Sequence, residues 1–296
     1  MSFSYASVTA TMPLNPRLRR ITLRVDDPDA LSIREAGDSA VGVYFPTVTP
    51  DGRRIPPPAV IRDDGTRYVD PDHPGDGRNY TVRRHTHHPD GVLIDLDVVL
   101  HAHGDGTAWA RTTGPGDRVG LDYARSWYRP EPTTEWQLLV TDLSGLPATA
   151  RIVEELGTGV PVTAIVEVAD AEDLEYLPQH PDVTVVPSIG TGNGHAPSEL
   201  ARLVREYPLP GGRGYCWFAG EAAESRSVRK HFRSSGWAIG QLDVTGYWRF
   251  DSETWDEKFA LVQDSVLPVY EKALADGKGD KLASEEFDEA LERVGL

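Results

Sequence analysis

The chain has 296 residues, an apolar content of 39% and a formal net charge of −16. That length accommodates two domains with an extension, and the apolar fraction suffices for a sizeable core. The acidic balance excludes the basic face of a nucleic-acid binder and leaves any anionic ligand to be captured by locally placed arginines.

The N-terminal stretch lacks the basic-then-apolar form of a signal peptide, and no apolar run approaches transmembrane length. A cytosolic monomer without membrane insertion is expected. Residues 1–125 read as all-β. Short alternating runs, Arg20–Val25 and Val41–Phe45, are separated by Gly, Pro and Asp clusters. The Pro-rich loop from Pro50 to Pro58 excludes a central strand there. Further strands are predicted at Asn79–Arg83, Val92–Leu100 and Arg118–Leu121, a series that favours a small closed barrel or a sandwich.

Within it, Arg78-Asn79-Tyr80-Thr81-Val82-Arg83 stands out. As a strand it places Arg78, Tyr80 and Val82 on one side and Asn79, Thr81 and Arg83 on the other. A guanidinium fork suits a pyrophosphate, and an aromatic wall with a hydroxyl suits an isoalloxazine and its ribityl chain. The mixture points to a flavin dinucleotide; a half-buried strand with surface arginines is the plainer alternative. His85, His87 and His88 follow this strand, and His101 and His103 follow another. No carboxylate or Cys stands at a recognised ligand spacing, so no metal site is assigned. His101 ends an apolar strand before a Gly-containing turn, where it is placed to donate to a phosphate or flavin oxygen.

Beyond Arg125 the pattern changes. Strands at Trp136–Val140, Val162–Val168, Val183–Val186, Tyr215–Ala219 and Ala238–Val244 alternate with helices at Pro147–Leu156, Ala171–Leu177, Pro197–Tyr207 and Glu221–Arg233. This order predicts a parallel sheet covered on both faces, with ligands beyond the strands' carboxyl ends. Those ends are Thr141–Gly145, Ser188–Gly194 and Gly220-Glu221. The second is glycine-rich but lacks GxGxxG and Walker spacings, so a phosphate cradle and an ordinary loop both stay open. Cys216 is the single cysteine and reads as a buried core thiol, which excludes an internal disulfide and an all-cysteine iron–sulfur centre. In residues 251–296, Trp255, Phe259, Val262, Val266 and Tyr270 recur at helical spacing, and Pro268 is expected to kink or end that helix. A second stripe holds Phe287, Ala290, Leu291 and Val294.

A β-barrel followed by an α/β unit is the layout of ferredoxin reductase-like flavoenzymes. The stretches Arg78–Arg83, Asp97–His101, Gly106–Ala110 and Gly116–Gly120 resemble the FAD half of the siderophore-interacting protein family. Asp142–Ala148, Trp217–Ala222 and Gly246-Tyr247-Trp248-Arg249 resemble its other half, in consistent order from about residue 8 to 250. The resemblance implies an N-terminal antiparallel FAD-binding β-barrel (1–125) and an NAD(P)H-binding α/β domain (126–250), beyond which the helical stripes of residues 251–296 make a C-terminal helical extension. It implies that Arg78, Tyr80 and Thr81, with Arg83 beside them, hold FAD. Asp97, Val99 and His101, with Thr107, Ala108 and Trp109, would continue the flavin and pyrophosphate pocket. Asp142 would sit where the domains meet, Gly220 and Glu221 would border the nicotinamide nucleotide, and Trp248 would lie near the flavin.

The implied activity is FAD-dependent reduction of siderophore-bound Fe(III), with NADH or NADPH as donor and ferredoxin as an alternative donor. A general NAD(P)H:flavin or ferredoxin-linked reductase and a non-catalytic ferric-siderophore binder are the competing readings. One departure concerns substrate: the place where the family often carries a Lys falls near Gly42 here. Arg125, near a family turn whose neighbours differ, and Arg249 in the last motif are the candidates for substrate capture.

Overall fold

The computed structural model of the chain describes residues 3–33, 35–61, 63, 65, 67–70, 77–89 and 91–296. Strand alternation builds the first unit. β1 (Phe3–Pro13), β2 (Leu18–Val25) and β3 (Ala40–Tyr44) are followed by two small hairpins. These pair β4 (Thr47–Val48) with β5 (Arg54–Ile55), and β6 (Ala59–Ile61) with β7 (Arg67–Val69). β8 (Arg78–His88), β9 (Gly91–Val99) and β10 (Arg118–Arg125) complete the set. Six strands close into an antiparallel barrel in the order β1-β10-β3-β8-β9-β2. Alternate residues of β9, namely Val92, Ile94, Leu96 and Val98, point into its core.

The all-β expectation for residues 1–125 is corrected by two short helices, α1 (Pro28–Leu31) and α2 (Asp105–Thr112). α2 seats Trp109 and Ala110 in the barrel core. Eight residues hold too few turns for a helical period to emerge from the sequence.

The second unit alternates strand and helix. Its elements are β11 (Trp136–Thr141), α3 (Leu146–Glu155), β12 (Val162–Val168), a 3₁₀ turn (Ala171–Tyr176), β13 (Val183–Ile189), α4 (Leu200–Glu206), β14 (Gly214–Glu221), α5 (Ala222–Ser234) and β15 (Leu242–Trp248). The parallel sheet runs β13-β12-β11-β14-β15. β11 and β14 are buried along their whole length, as their near-continuous apolar sequences require. β13 is an edge strand interrupted by Pro187, with Val185 and Ile189 exposed. The ferredoxin reductase-like order of barrel and parallel sheet is the one expected.

Two polar fastenings join barrel and sheet. Asp38, fully buried before β3, accepts hydrogen bonds from Ser126 Oγ (2.8 Å), Trp127 N (2.9 Å), Tyr128 N (2.6 Å) and Trp217 Nε1 (3.0 Å). On another side, Arg83 grips Glu154 of α3 through two bonds of 2.6 Å and donates to Tyr176 Oη at 3.1 Å. The Tyr176 hydroxyl donates to Asp97, which also receives Arg20 through two bonds of 2.7 Å.

α6 (Ser252–Ala275) and α7 (Asp280–Arg293) pack on each other around Phe259, Val262, Val266 and Leu291. α6 continues through Pro268, so of the expected kink or end the end does not occur. Pro268 lies on the exposed side of α6, where the carbonyl it deprives of a partner can turn to water, while Val266 and Val269 pack against α7. α7 is tied to α5 by Arg229–Asp288, Lys230–Glu292 and Arg233–Glu285 (3.0 Å). Among the described residues no helix is long and apolar enough to cross a membrane.

Candidate functional site

The mouth of the barrel is built by β8 and α2. Arg78 is exposed at the start of β8. The Tyr80 hydroxyl lies so close to Gly106 that a Cβ there would be 2.1 Å from it, so only glycine lets the ring meet the start of α2. Phe45 stacks on Trp109 at 4.9 Å, and Tyr80 sits 6.3 Å from Phe45 and 6.4 Å from Trp109. Thr107 Oγ1 accepts the His101 amide at 3.0 Å, locking the end of β9 to the same helix start. Burial pushes the Tyr80 phenol well up, against the charge of Arg78, so its hydroxyl stays a neutral donor. The start of α2 has no side-chain cap among the described residues, and its amides and dipole favour an anion there.

At the junction of barrel and sheet, the Thr81 and Tyr247 hydroxyls are neighbours. Both oxygens are buried and neither makes a formed hydrogen bond among the described residues. Burial and the nearby Asp38 charge push the Tyr247 phenol up. Trp248 donates Nε1–H to Asp142 Oδ2 at 2.6 Å, and Ser144 N donates to Asp142 Oδ1 at 2.8 Å. Burial lifts the Asp142 carboxyl, and these donors work against that rise. Gly220 presses on the same carboxylate: a Cβ there would lie 3.0 Å from Asp142 Oδ2. Glu221 caps α5 by accepting Ala223 N (2.6 Å) and Glu224 N (3.1 Å), and it also receives Phe250 N at 3.3 Å. The His101 ring is 6.3 Å from Trp248, and burial and the His195 charge lower its pKa. The fold thus gathers His101, Asp142, Gly220, Glu221 and Trp248 where β9, β11, β14 and β15 end.

Arg83 and Asp97 are not gathered there. Both are buried in the fastening with Glu154, Tyr176 and Arg20. Val99 pairs with Leu18 and packs against the core of the sheet. Trp109 fills the barrel core with its Nε1 buried and unpartnered among the described residues, while Ala108 is exposed on α2. Gly42 has no room for a side chain, because a Cβ would meet Asp122 Oδ1 at 2.0 Å. Burial raises that Asp122 carboxyl against the Arg125 charge and a bond from Tyr44 Oη at 3.3 Å.

Arg125 and Arg249 meet at a cavity of about 960 Å³ between the end of β10, the start of α5, the end of β15 and α7. Arg129, Arg226, Arg229, Lys278 and Lys281 also line it, against Asp243, Asp280 and Asp288. Trp127 in its wall has its ring 6.4 Å from Tyr247. Sequence reasoning missed Asp38 and Arg226 and gave no role to Tyr247, although Tyr247 stands inside the Gly246–Arg249 motif.

A flavin dinucleotide suits these donors. The glycine-bounded helix start and Arg78 would take the pyrophosphate, and the Thr81 and Tyr247 hydroxyls, which face each other with no further partner among the described residues, offer bonds to a polar ring edge. Comparisons with known proteins bear on the fold and the family. The ferredoxin NADP+ reductase of Neisseria gonorrhoeae superimposes with a TM-score of 0.54 at 14% identity, over 84% of this chain and 100% of that one, which defines the fold as ferredoxin reductase-like. Residues 7–123 match the siderophore-interacting FAD-binding domain, and residues 134–251 match the siderophore-interacting protein model. A siderophore utilization protein from T. fusca is 30% identical with a TM-score of 0.69, covering 84% of this chain and 93% of that one. The chain belongs to the siderophore-interacting protein family. Its relatives include the ferric vibriobactin reductase ViuB of Vibrio cholerae, 27% identical over 85% of this chain and 92% of that one. The NADPH-dependent ferric-chelate reductase of Escherichia coli is 23% identical over 84% of this chain and 93% of that one.

Proposed function

We propose that the protein is an FAD-dependent ferric-siderophore reductase that draws electrons from NADH or NADPH. The observation that carries this reading is a cation-rich cavity on a chain of net charge −16, one aromatic contact away from the Thr81–Tyr247 pair. FAD held there would supply the conversion between a two-electron hydride donor and one-electron reduction of Fe(III), so that one donor molecule serves two ferric ions. In this reading Arg78, Tyr80 and the start of α2, with Thr107 and Ala108, hold the dinucleotide, and Thr81 and His101 face its ring. Arg83, Asp97, Val99 and Trp109 act from behind, as the frame that sets the barrel mouth. Asp142, Gly220, Glu221 and Trp248 shape the donor's entry, with residues 1–125, 126–250 and 251–296 as the working parts. Arg125 and Arg249 receive the anionic chelate, and iron leaves once Fe(II) holds the hard oxygen ligands less strongly. The protein works as a monomer in the cytosol, where reduced ferredoxin is a further donor.

The test is anaerobic reduction of the FAD-loaded protein by NADH and by NADPH separately, followed by mixing with ferric siderophores. Bleaching of the flavin and its return on mixing are expected. A flavin that bleaches but is not reoxidised by any ferric siderophore would leave a general flavin reductase and remove the proposed substrate.

A further inference from the structure

The cations of the cavity fall into two sets. Arg229 is paired with Asp288, Lys281 with Asp243 (2.6 Å) and Lys278 with Glu286 (2.7 Å). Arg226, in the second turn of α5, has no hydrogen bond or ion pair among the described residues. Arg249 is half-buried, and its guanidinium carbon stands 3.9 Å above the centre of the Trp255 ring. Trp255 is backed by Phe259, stacked at 4.8 Å with 11° between the planes. The stacked ring uses only the face of the guanidinium and leaves its N–H groups, which lie in the plane, to an incoming acceptor. Burial, and next the charge of Arg226, lower the pKa of Arg249, while Glu221, Asp288 and Asp256 offset only part of this. Two like charges side by side in a half-buried wall are costly until an anion spans them.

We infer that Arg226 and Arg249 form a two-arginine clamp for an anionic oxygen of the ferric chelate, with Trp255 of the C-terminal helices as the residue that positions Arg249. This rests on the reading of the cavity as the substrate site. It makes α6 part of that site, since Trp255 lies at its first turn and reaches back over the last residues of the sheet. The pyrophosphate of the nicotinamide donor is the other anion with matching chemistry. The cavity favours the chelate, because its far walls are the end of β10 and α7 and its volume of about 960 Å³ takes a bulky ligand.

The experiment uses the full chain loaded with FAD and the variants R226A, R249A, W255L and W255F. Binding is read from fluorescence titration with the gallium(III) tris-catecholate complex, which is trianionic and not reducible under these conditions. Steady-state KM is then read for the ferric tris-catecholate, for the neutral ferric tris-acetohydroxamate and for the nicotinamide donor. R226A and R249A should each weaken binding of the trianion about tenfold. W255L should weaken it roughly three- to tenfold and W255F far less, because a benzene face still backs the guanidinium. The loss should be larger for the trianion than for the neutral complex and should shrink as salt rises. If R249A weakens binding while R226A and W255L do not, the clamp is wrong and the substrate reading survives. Unchanged affinity in all four variants would remove the cavity from the substrate site altogether. A rise in donor KM with unchanged gallium binding in R226A would give the clamp to the pyrophosphate and overturn the inference. R226A alters a partly exposed side chain and decides the matter even if W255L loses its fold.

Discussion

The barrel meets the sheet in two ways that differ in how far their polar groups are satisfied. Along the fastening of Arg20, Asp97, Tyr176, Arg83 and Glu154, each charged group has a short bond to another residue of the chain. Along the opening that runs from Thr81 through Tyr247 to Arg249 and Arg226, buried hydroxyls lack formed partners and cations lie beside cations. Saturated polar groups hold a structure and have nothing left to offer a ligand; unsaturated ones cost stability and are retained where something else completes them. On one strand, Arg83 belongs to the frame, whereas Arg78 lies exposed at the barrel mouth.

The sharpest break of the frame is D38A. Four donors converge on this carboxylate, and removing it leaves them buried without an acceptor, so a loss of more than ~3 kcal/mol is expected in urea unfolding. R83A should cost about 2–3 kcal/mol, below the full value of a buried pair because Glu154 is 39% exposed. The bonds from Arg83 lower the Glu154 pKa beneath its usual 4.5. A carboxylate depressed in the folded state contributes stability above its unfolded pKa and loses it as pH falls through the folded value. The gap between wild type and R83A should therefore be full above pH 4.5 and narrow below it, which denaturation at a series of pH values checks.

For the opening, R78A should weaken FAD binding by about 1.5–3 kcal/mol, and R83A by clearly less. Equal FAD dissociation constants for the two would erase the distinction between frame and opening. The smallest effect concerns substrate alone. Adding R125A to R249A should raise KM for an anionic ferric siderophore by a further factor of about three at low salt, and by less at high salt as screening sets in. FAD content should be preserved, which the flavin absorbance of the purified variant reports.

Much of this division lies outside what a single sequence can carry. Strand alternation located five of the barrel strands, and helix–strand alternation located the strands of the sheet except that the last, expected at Ala238–Val244, begins only at Leu242 after a 3₁₀ turn, because period and turn residues are local properties. The gathering of His101, Asp142, Glu221 and Trp248 was readable only through motif order. Arg78 and Arg83 are the same residue type five positions apart, and the Glu154 and Tyr176 that bind Arg83 into the frame lie 71 and 93 residues on. Asp38 gave no signal, since its deepest partner, Trp217, is 179 residues away. Local sterics at Pro268 predict a kink or an end, and packing of Val266 and Val269 on α7 carries the helix past it.

Pro187 on the outer strand of the sheet has a bearing on how the protein behaves in concentrated solution. The ladder between β12 and β13 stays in register across it, so the missing N–H is tolerated at an edge that no further strand of the sheet covers. A neighbouring molecule approaching that edge meets a ring where a donor is needed, beside the exposed Val185 and Ile189 that would otherwise invite stacking. The gap breaks the template for intermolecular strand addition at the middle of the segment. Replacing Pro187 with Val would restore an unbroken row of donors on an apolar edge, and turbidity on concentration should rise while the fold stays intact.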